Sequence, residues 1–502
     1  VNAPTAASLI FELCLVMLAR WFILHVWCFL PQWILAQEVE LSTPQKVNTG
    51  ISRVEILGKT SQGILVRHTE KEEDHVLAFS GELRLNWSRR IPINEKNAEI
   101  REIFTTPDSI TFFFTVVNKG VTVLKAIRTS ARLESNARLV VCDTLSRNFL
   151  VAPTQAQFAL GADKRSVFYW FPDPNFENNE LIHLRMLNGL LQRQWELTYR
   201  VKGFENPEVL SGVVDSANNV LLVVGEYKDR SVRNDFPFTA LMMVSLREKG
   251  NKIRSHVLRT NDLFYSAPLT KLDAFTGDVA IAGLYGHSAG VESRGFYLLK
   301  YSGARDTLHL QSHLPHTTEF LSQLTGSPAP RKSDGFYNFQ PVELIVKRDG
   351  GAVILAEAQS ATSEAMGSAG MSGFGFSSGF IVNSFHYDEI AVISANAEGR
   401  ADWKTILHKK QETEGDGGYY SSFSTMISGN KAFFVYNDEF NGQSVVSYYS
   451  LDRAGNQART ELFNSERKGV MPVMKLAKQI SANELVIPSL KRNYLQFIKI
   501  TF

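Results

Sequence analysis

The stretch DSANNVLLVVG, residues 215–225, decides the fold. Its first half is polar and turn-forming, because Asp and Asn side chains bond to their own backbone. Its second half is a β-branched apolar run closed by glycine, which reads as a strand. The same unit recurs as KTSQGILVRHT at 59–69, TPDSITFFFTV at 106–116, GADKRSVFYWF at 161–171 and DAFTGDVAIAG at 273–283. It returns as KRDGGAVILAE at 347–357, SGNKAFFVY at 428–436 and SANELVIPSL at 481–490, making eight copies.

A second unit follows most of these: strand, turn, then a strand that often carries tryptophan. HVLAFSGELRLNWSRRI (75–91), LIHLRMLNGLLQRQWEL (181–197) and EIAVISANAEGRADWKTIL (389–407) are its best examples. The spacing from Gly81 to Trp87 repeats from Gly189 to Trp195, while Gly399 to Trp403 is shorter. These tryptophans are expected to pack between sheets rather than to face a ligand. After residue 40 no long stretch keeps apolar residues at helical spacing. The chain is therefore expected to be all-β, a single β-propeller over 38–502. Eight blades are favoured, with seven as the alternative; a β-solenoid suits such long, irregular repeats less well. The final unit ends at YLQFIKITF, 494–502, without room for a last strand. Residues 38–47 are expected to supply it, closing the ring and removing exposed sheet edges.

Composition narrows the function. Of 502 residues 44% are hydrophobic, enough for a sizeable core and unlike a disordered chain. With 53 Lys+Arg against 51 Asp+Glu the net charge is +2, which offers no basic surface for nucleic acid. Three cysteines, Cys14, Cys28 and Cys142, exclude a disulfide framework and a four-cysteine zinc site. The run WFILHVWCFLPQWILA at 21–36, preceded by Arg20, has the form of a secretory signal peptide cleaved after Ala36. Within it, residues 1–16 read as an upstream extension and Met17 as the start. An uncleaved anchor is the alternative, since about 20 apolar residues span a bilayer. After cleavage no transmembrane segment remains and Cys142 is the only thiol, expected to be free and buried.

Several motifs invite chemistry and fail on context. Gly286-His287-Ser288-Ala289-Gly290 matches the nucleophile elbow of α/β-hydrolases, which needs a helix after the serine. VESRGFYLLKY follows instead, a turn and a strand, so a hairpin loop is the better reading. His309, His313 and His316 have metal-ligand spacing but stand in a strand-to-loop context without a partner glutamate. Asp173, Asn175, Glu177 and Glu180 form an oxygen-rich loop without calcium-loop spacing. The segment 359–379, QSATSEAMGSAGMSGFGFSSG, reads as a flexible Gly/Ser-rich loop. Its Gly373-x-Gly375 lacks the third glycine of a dinucleotide fingerprint. No cofactor and no metal are expected.

Between 350 and 442 several short motifs occur in order: Glu357, YDEI at 387–390, Trp403, KKQ at 409–411, GGYYSSF at 417–423 and YNDEFN at 436–441. Together they resemble a family of exported propeller-like proteins from Bacteroidetes bacteria. The resemblance implies export and architecture, not a reaction. His408-Lys409 departs from the proline-lysine pair usual there.

Propeller loops at the ends of the ring usually hold function. The leading expectation is a non-enzymatic binding or interaction protein of the bacterial envelope. It would be periplasmic, outer-membrane-associated or secreted, monomeric, and directed at an envelope protein or glycan. Its candidate binding residues are Tyr387, Asp388, Tyr419, Tyr420, Asn437, Asp438 and Asn441. A glycan- or peptide-directed hydrolase is the alternative, using Glu357, Asp388 and Asp438 at the channel mouth. A pair of them about 5 Å apart, or roughly 6.5–9.5 Å apart, would suit retaining or inverting chemistry. Against that, Asp438 after Tyr436-Asn437 reads as a turn stabiliser. A third reading is carbohydrate binding with Tyr387, Tyr419 and Tyr420 as exposed stacking faces.

Overall fold

The computed structural model describes residues 37–502 except 48–52, 71–72, 135–136, 147–154, 175–178, 230–234, 260–261, 332–333, 367–379 and 441. Residues 1–36, expected to be a signal peptide, therefore lie outside the described residues, as do Asn175, Glu177, Asn441 and the glycine-rich part of 359–379.

The deciding unit folds as its chemistry dictates. Asp215 Oδ1 accepts from the backbone N–H groups of Ala217 and Asn219, both at 2.8 Å, and turns the chain. Asn218 takes the left-handed conformation, φ 60°, that asparagine tolerates. The strand Val220–Tyr227 then runs between Pro207–Val214 and Phe238–Arg247, antiparallel to both. Its apolar run does not alternate with polar residues because both faces are covered. Val220, Leu222 and Val224 pack on Phe168, Trp170 and Met186 of the preceding sheet. Leu221 and Val223 pack on Ile281, Tyr297 and Leu299 of the following one. Burying an aliphatic side chain contributes about 1.5–3 kcal/mol, so one such strand ties three sheets together.

Repetition of this arrangement makes the β-propeller. Among the described residues four antiparallel sheets have four strands each, 53–90, 98–146, 157–200 and 423–464. The segments 207–259 and 269–315 are joined through Phe264–Tyr265 into one nine-stranded sheet, and 339–407 is joined by Glu412–Glu414. A last sheet, built from both ends of the chain, has its outer strand in two pieces, Glu38–Leu41 and Gln45–Lys46. In that last sheet Glu38–Leu41 lies against Tyr494–Thr501, with Glu38 opposite Thr501 and Leu41 opposite Ile498. Val486, Leu495 and Phe497 of the last sheet share a core with Val54, Ile64 and Val66 of the first. The Phe79 and Phe497 rings lie 4.8 Å apart across that seam. First strands of several successive sheets approach one another, as 53–60 does 98–105 and 269–272 does 339–346. The tryptophans pack between sheets: Trp195 is buried, with its ring 5.9 Å from Phe168. Trp87 and Trp403 are partly buried against two other seams. Cys142 is free and buried, and burial raises its thiol to about 12.

The two ends of the sheets differ. At one end the turns are short and closed by their own side chains: Asp273 accepts from Phe275 N at 2.8 Å, Asn188 from Leu190 N at 2.9 Å and Asp452 from Ala454 N at 2.9 Å. At the other end the connections are long. They include 408–422 and 465–477, the helix Thr318–Thr325, and an extended hairpin. That hairpin changes the reading of 359–379: Ala352–Met366 is one 15-residue strand, paired from Gln359 to Met366 with Phe380–Tyr387. Residues 359–366 are therefore strand rather than loop, because the backbone ladder to Phe380–Tyr387 carries this small polar segment.

The discarded motifs have structural partners. Gly286–Gly290 ends the strand Asp278–Gly286 and turns toward Glu292–Ser293, with no helix after the serine. His309 pairs with Asp278 at 3.0 Å, His313 with the Tyr265 hydroxyl at 3.2 Å and His316 with Ser293 at 2.9 Å, so the three histidines do not converge. In the oxygen-rich loop Asp173 pairs with His183 and Glu180 with Arg200, both at 3.0 Å.

Candidate functional site

Of the residues singled out between 350 and 442, Glu357, Tyr387, Asp388, Tyr419, Tyr420, Asn437 and Asp438 gather at the long-loop end, while Trp403 bonds to Arg453 at the other, and their roles differ from those expected. Glu357 and Lys409 form an ion pair of 2.7 Å with both side chains wholly inaccessible. Lys409 is held by more than charge. Its ammonium also donates to the Tyr387 carbonyl at 2.7 Å and to Gln411 Oε1 at 2.9 Å. That accounts for all three of its donors. The other carboxylate oxygen of Glu357 accepts from Gln359 Nε2 at 2.8 Å and Ser422 Oγ at 2.7 Å. Burial lowers the pKa of Lys409, and the facing Glu357 opposes that fall.

Gln411 carries the cluster across to the neighbouring sheet. Its Oε1 accepts from Ser422 N at 2.8 Å, and its Nε2 donates to the carbonyls of Asn437 at 2.8 Å and Ser422 at 3.2 Å. Ser422 holds φ at +74°, a conformation uncommon for a serine. Asn437 then donates through Nδ2 to the carbonyls of Tyr420 and Pro472, both at 2.8 Å. One amide thus joins 417–423 to 465–477.

These contacts correct the expected chemistry of the three carboxylates. Glu357 is sealed from solvent by its ion pair and cannot work at a channel mouth. Asp388 lies within Phe380–Ala395 and accepts from Gln411 N at 3.4 Å. Asp438 is in the strand Lys431–Phe440, opposite Val445, and so does not stabilise a turn. It pairs with Arg459 and accepts from Glu439 N at 3.0 Å.

The tyrosines are half-buried rather than free platforms. Tyr419 and Tyr420 meet edge to face, centroids 5.1 Å apart, against the core between the last sheet and the first. The Tyr420 hydroxyl donates to the Leu490 carbonyl at 3.0 Å. Burial, with Tyr420 beside it, raises the Tyr419 phenol to about 12, so it stays protonated. Tyr387 has the Lys475 ammonium 3.9 Å from its ring centroid and Gly418 packed on its edge. A Cβ at Gly418 would lie 2.4 Å from that ring.

Two clefts open around Tyr420. One, of about 350 Å³, is lined by Glu412, Tyr420, Asn437, Asp438 and Met471 among others. The second, of about 570 Å³, is lined by Arg53, Glu55, Arg67, Asp416, Tyr419 and Tyr420 with three aliphatic residues. Arg67 is held by Asp74 at 2.9 Å. Sequence reasoning missed Lys409, Gln411 and Ser422 as the centre of the cluster, and Arg53 and Arg67 as cleft residues. The alternation in KKQ, with Lys409 and Gln411 inward and Lys410 outward, was the available signal for the first two. The arginines lie more than 340 residues away in sequence from the tyrosines they face, and no local pattern joins them.

No family model matches the chain, and no curated protein does. Among solved structures it is similar to a protein from Lactobacillus plantarum, at 10% identity and TM-score 0.39, covering 82% of this chain and 97% of that one. It is similar to the Nup133 β-propeller domain of Vanderwaltozyma polyspora, at 9% identity and TM-score 0.38, covering 80% and 100%. It is also similar to a prolyl endopeptidase, at 8% identity and TM-score 0.35, covering 83% of this chain and 55% of that protein's length.

Proposed function

We propose that this chain is a non-enzymatic binding protein of the bacterial envelope, exported and then held in the periplasm or at the outer membrane. Its partner docks at the long-loop end, over the two clefts that share Tyr420. The observation that carries this reading is the sealed ion pair of Glu357 and Lys409, which converts the leading catalytic candidate into a brace under a binding surface. Export rests on the apolar run at 21–36, and the envelope setting on the family resemblance of 350–442. A second reading, carbohydrate binding, is favoured by the larger cleft. Two tyrosines beside arginine and carboxylate side chains there combine an apolar wall with directional polar groups.

The test uses residues 37–502, immobilised and exposed to detergent-solubilised envelope fractions, alongside Tyr420→Ala and Arg53→Ala variants. A partner retained by the wild type and lost by both variants supports the proposal. Repeated recovery of nothing, with hits on a glycan array, selects carbohydrate binding instead. Turnover of a glycan or peptide by the wild type that Asp438→Asn abolishes would overturn both.

A further inference from the structure

Most strands here have about eight residues, but Ala352–Met366 and Phe380–Ala395 have 15 and 16. Their far halves stand beyond the sheet as a hairpin, with Ser363 opposite Asn383. One edge of that hairpin is covered, since Glu412–Glu414 pairs with Ser384–His386. The other edge is open. The neighbouring strand Phe339–Val346 pairs only as far as Ala358, and among the described residues the last bond to this edge runs from Gln359 N to the Asn338 carbonyl at 2.9 Å.

Successive residues of a strand turn their backbone groups to alternate sides. Gln359 faces outward, so Ala361, Ser363 and Ala365 face outward too. The opposite strand agrees: Tyr387 N donates to the Gln411 carbonyl and the Asn383 carbonyl accepts from Gly415 N, at 3.0 and 2.9 Å. Their cross-strand mates Gln359 and Ser363 must then point the other way. Open edges are normally blunted by lysine, proline or a covering loop. The segment QSATSEAM at 359–366 contains neither lysine nor proline, and 361–363 are exposed.

The outward positions read Ala361, Ser363, Ala365, the same in both directions. An antiparallel copy centred on Ser363 sets that serine against itself and each Ala361 against Ala365 of the second copy. The outward N–H and C=O groups of Ala361, Ser363 and Ala365 are then paired, and between them each Thr362 stands opposite Glu364 of the second copy. We infer that two copies of this chain associate edge to edge through 361–365, about a two-fold axis at Ser363. Such an isologous contact is the commonest closed symmetry of soluble oligomers. The proposed dimer departs from the monomer expected from the sequence.

Sedimentation velocity on residues 37–502 tests it. The wild type is expected at twice the chain mass, and Ser363→Pro at the mass of one chain. Proline there removes the central outward donor but no bond of the hairpin's own ladder. Ala361→Lys, which adds a charge without touching the backbone, should also give single chains, with an unchanged far-ultraviolet spectrum. A single-chain mass for the wild type at every concentration, which would leave the edge to a peptide of another protein, overturns the inference. So does a dimer that both variants leave intact.

Discussion

Lys409 is the residue whose removal should be felt most. Its partner Glu357 is inaccessible, so a variant lacking the ammonium leaves a carboxylate buried without its counter-charge. Breaking such a pair from one side costs about 3–5 kcal/mol, whereas removing both charges costs much less. Lys409→Met is therefore expected to lose about that amount in urea unfolding, and Glu357→Gln/Lys409→Met to recover much of it. Equal midpoints for wild type and Lys409→Met would show that the pair braces nothing. His316 supplies a pH dependence. Its ring lies 3.9 Å from that of Phe336 and 5.7 Å from Phe320. Desolvation, with the charges of Lys404 and Arg294 added, lowers its pKa to about 3. The folded protein holds it neutral, while the unfolded chain protonates near pH 6.5. Its contribution is whole above about pH 6.5 and is lost as pH falls toward 3, by at most about 1.4 kcal/mol per pH unit. His316→Gln is expected to flatten the decline between pH 6.5 and 4.5. Burial lowers His313 as well, so only the difference between wild type and variant reports His316. At this scale the sequence marked Glu357, Tyr420 and Asn437, which the fold brings into one hydrogen-bonded cluster. It could not show that Glu357 is consumed by a lysine 52 positions later, because that pairing depends on a three-dimensional register.

Elements were the most legible level where side chains dictate them. The turn-and-strand unit at 215–225 folds as read, since Asp215 closes the turn and an apolar run of that length is covered on both faces. Asp215→Ala removes the acceptor of two backbone bonds and is expected to cost about 1–2 kcal/mol in thermal unfolding. An unchanged midpoint would mean that the Asn218 geometry alone sets the turn. The illegible element was the extension of Ala352–Met366 past residue 358. Ser, Ala and Thr there carry no burial signal, and what keeps them extended is the ladder to Phe380–Tyr387. Composition reports side chains, and that strand is made by its backbone.

At the scale of the whole molecule, the eight repeated units and the unpaired last one pointed to a ring. Glu38–Leu41 is an outer strand of the last sheet, and its Val39 and Leu41 pack in the core between that sheet and the one at 423–464. Removing residues 37–41 takes away an outer strand and two half-buried aliphatic side chains, an expected loss of about 2–4 kcal/mol. Limited proteolysis should then cut first within 494–501, newly placed at an edge. A truncated protein as stable and as resistant as the parent would show that three strands suffice in that sheet. The clefts around Tyr420 stayed hidden in the sequence because they gather residues from Arg53 to Lys491.

The shared last sheet also sets an order of events. Glu38 meets Thr501, so Glu38–Leu41 cannot find its neighbour until Tyr494–Thr501 has left the ribosome. Closing so long a loop is slow, and until it closes the first and last sheets keep bare flanks. Synthesis time, rather than any single contact, then limits how early this chain becomes safe from aggregation and proteases. A chain broken off before Tyr494 leaves Glu38–Leu41 with no strand to pair with.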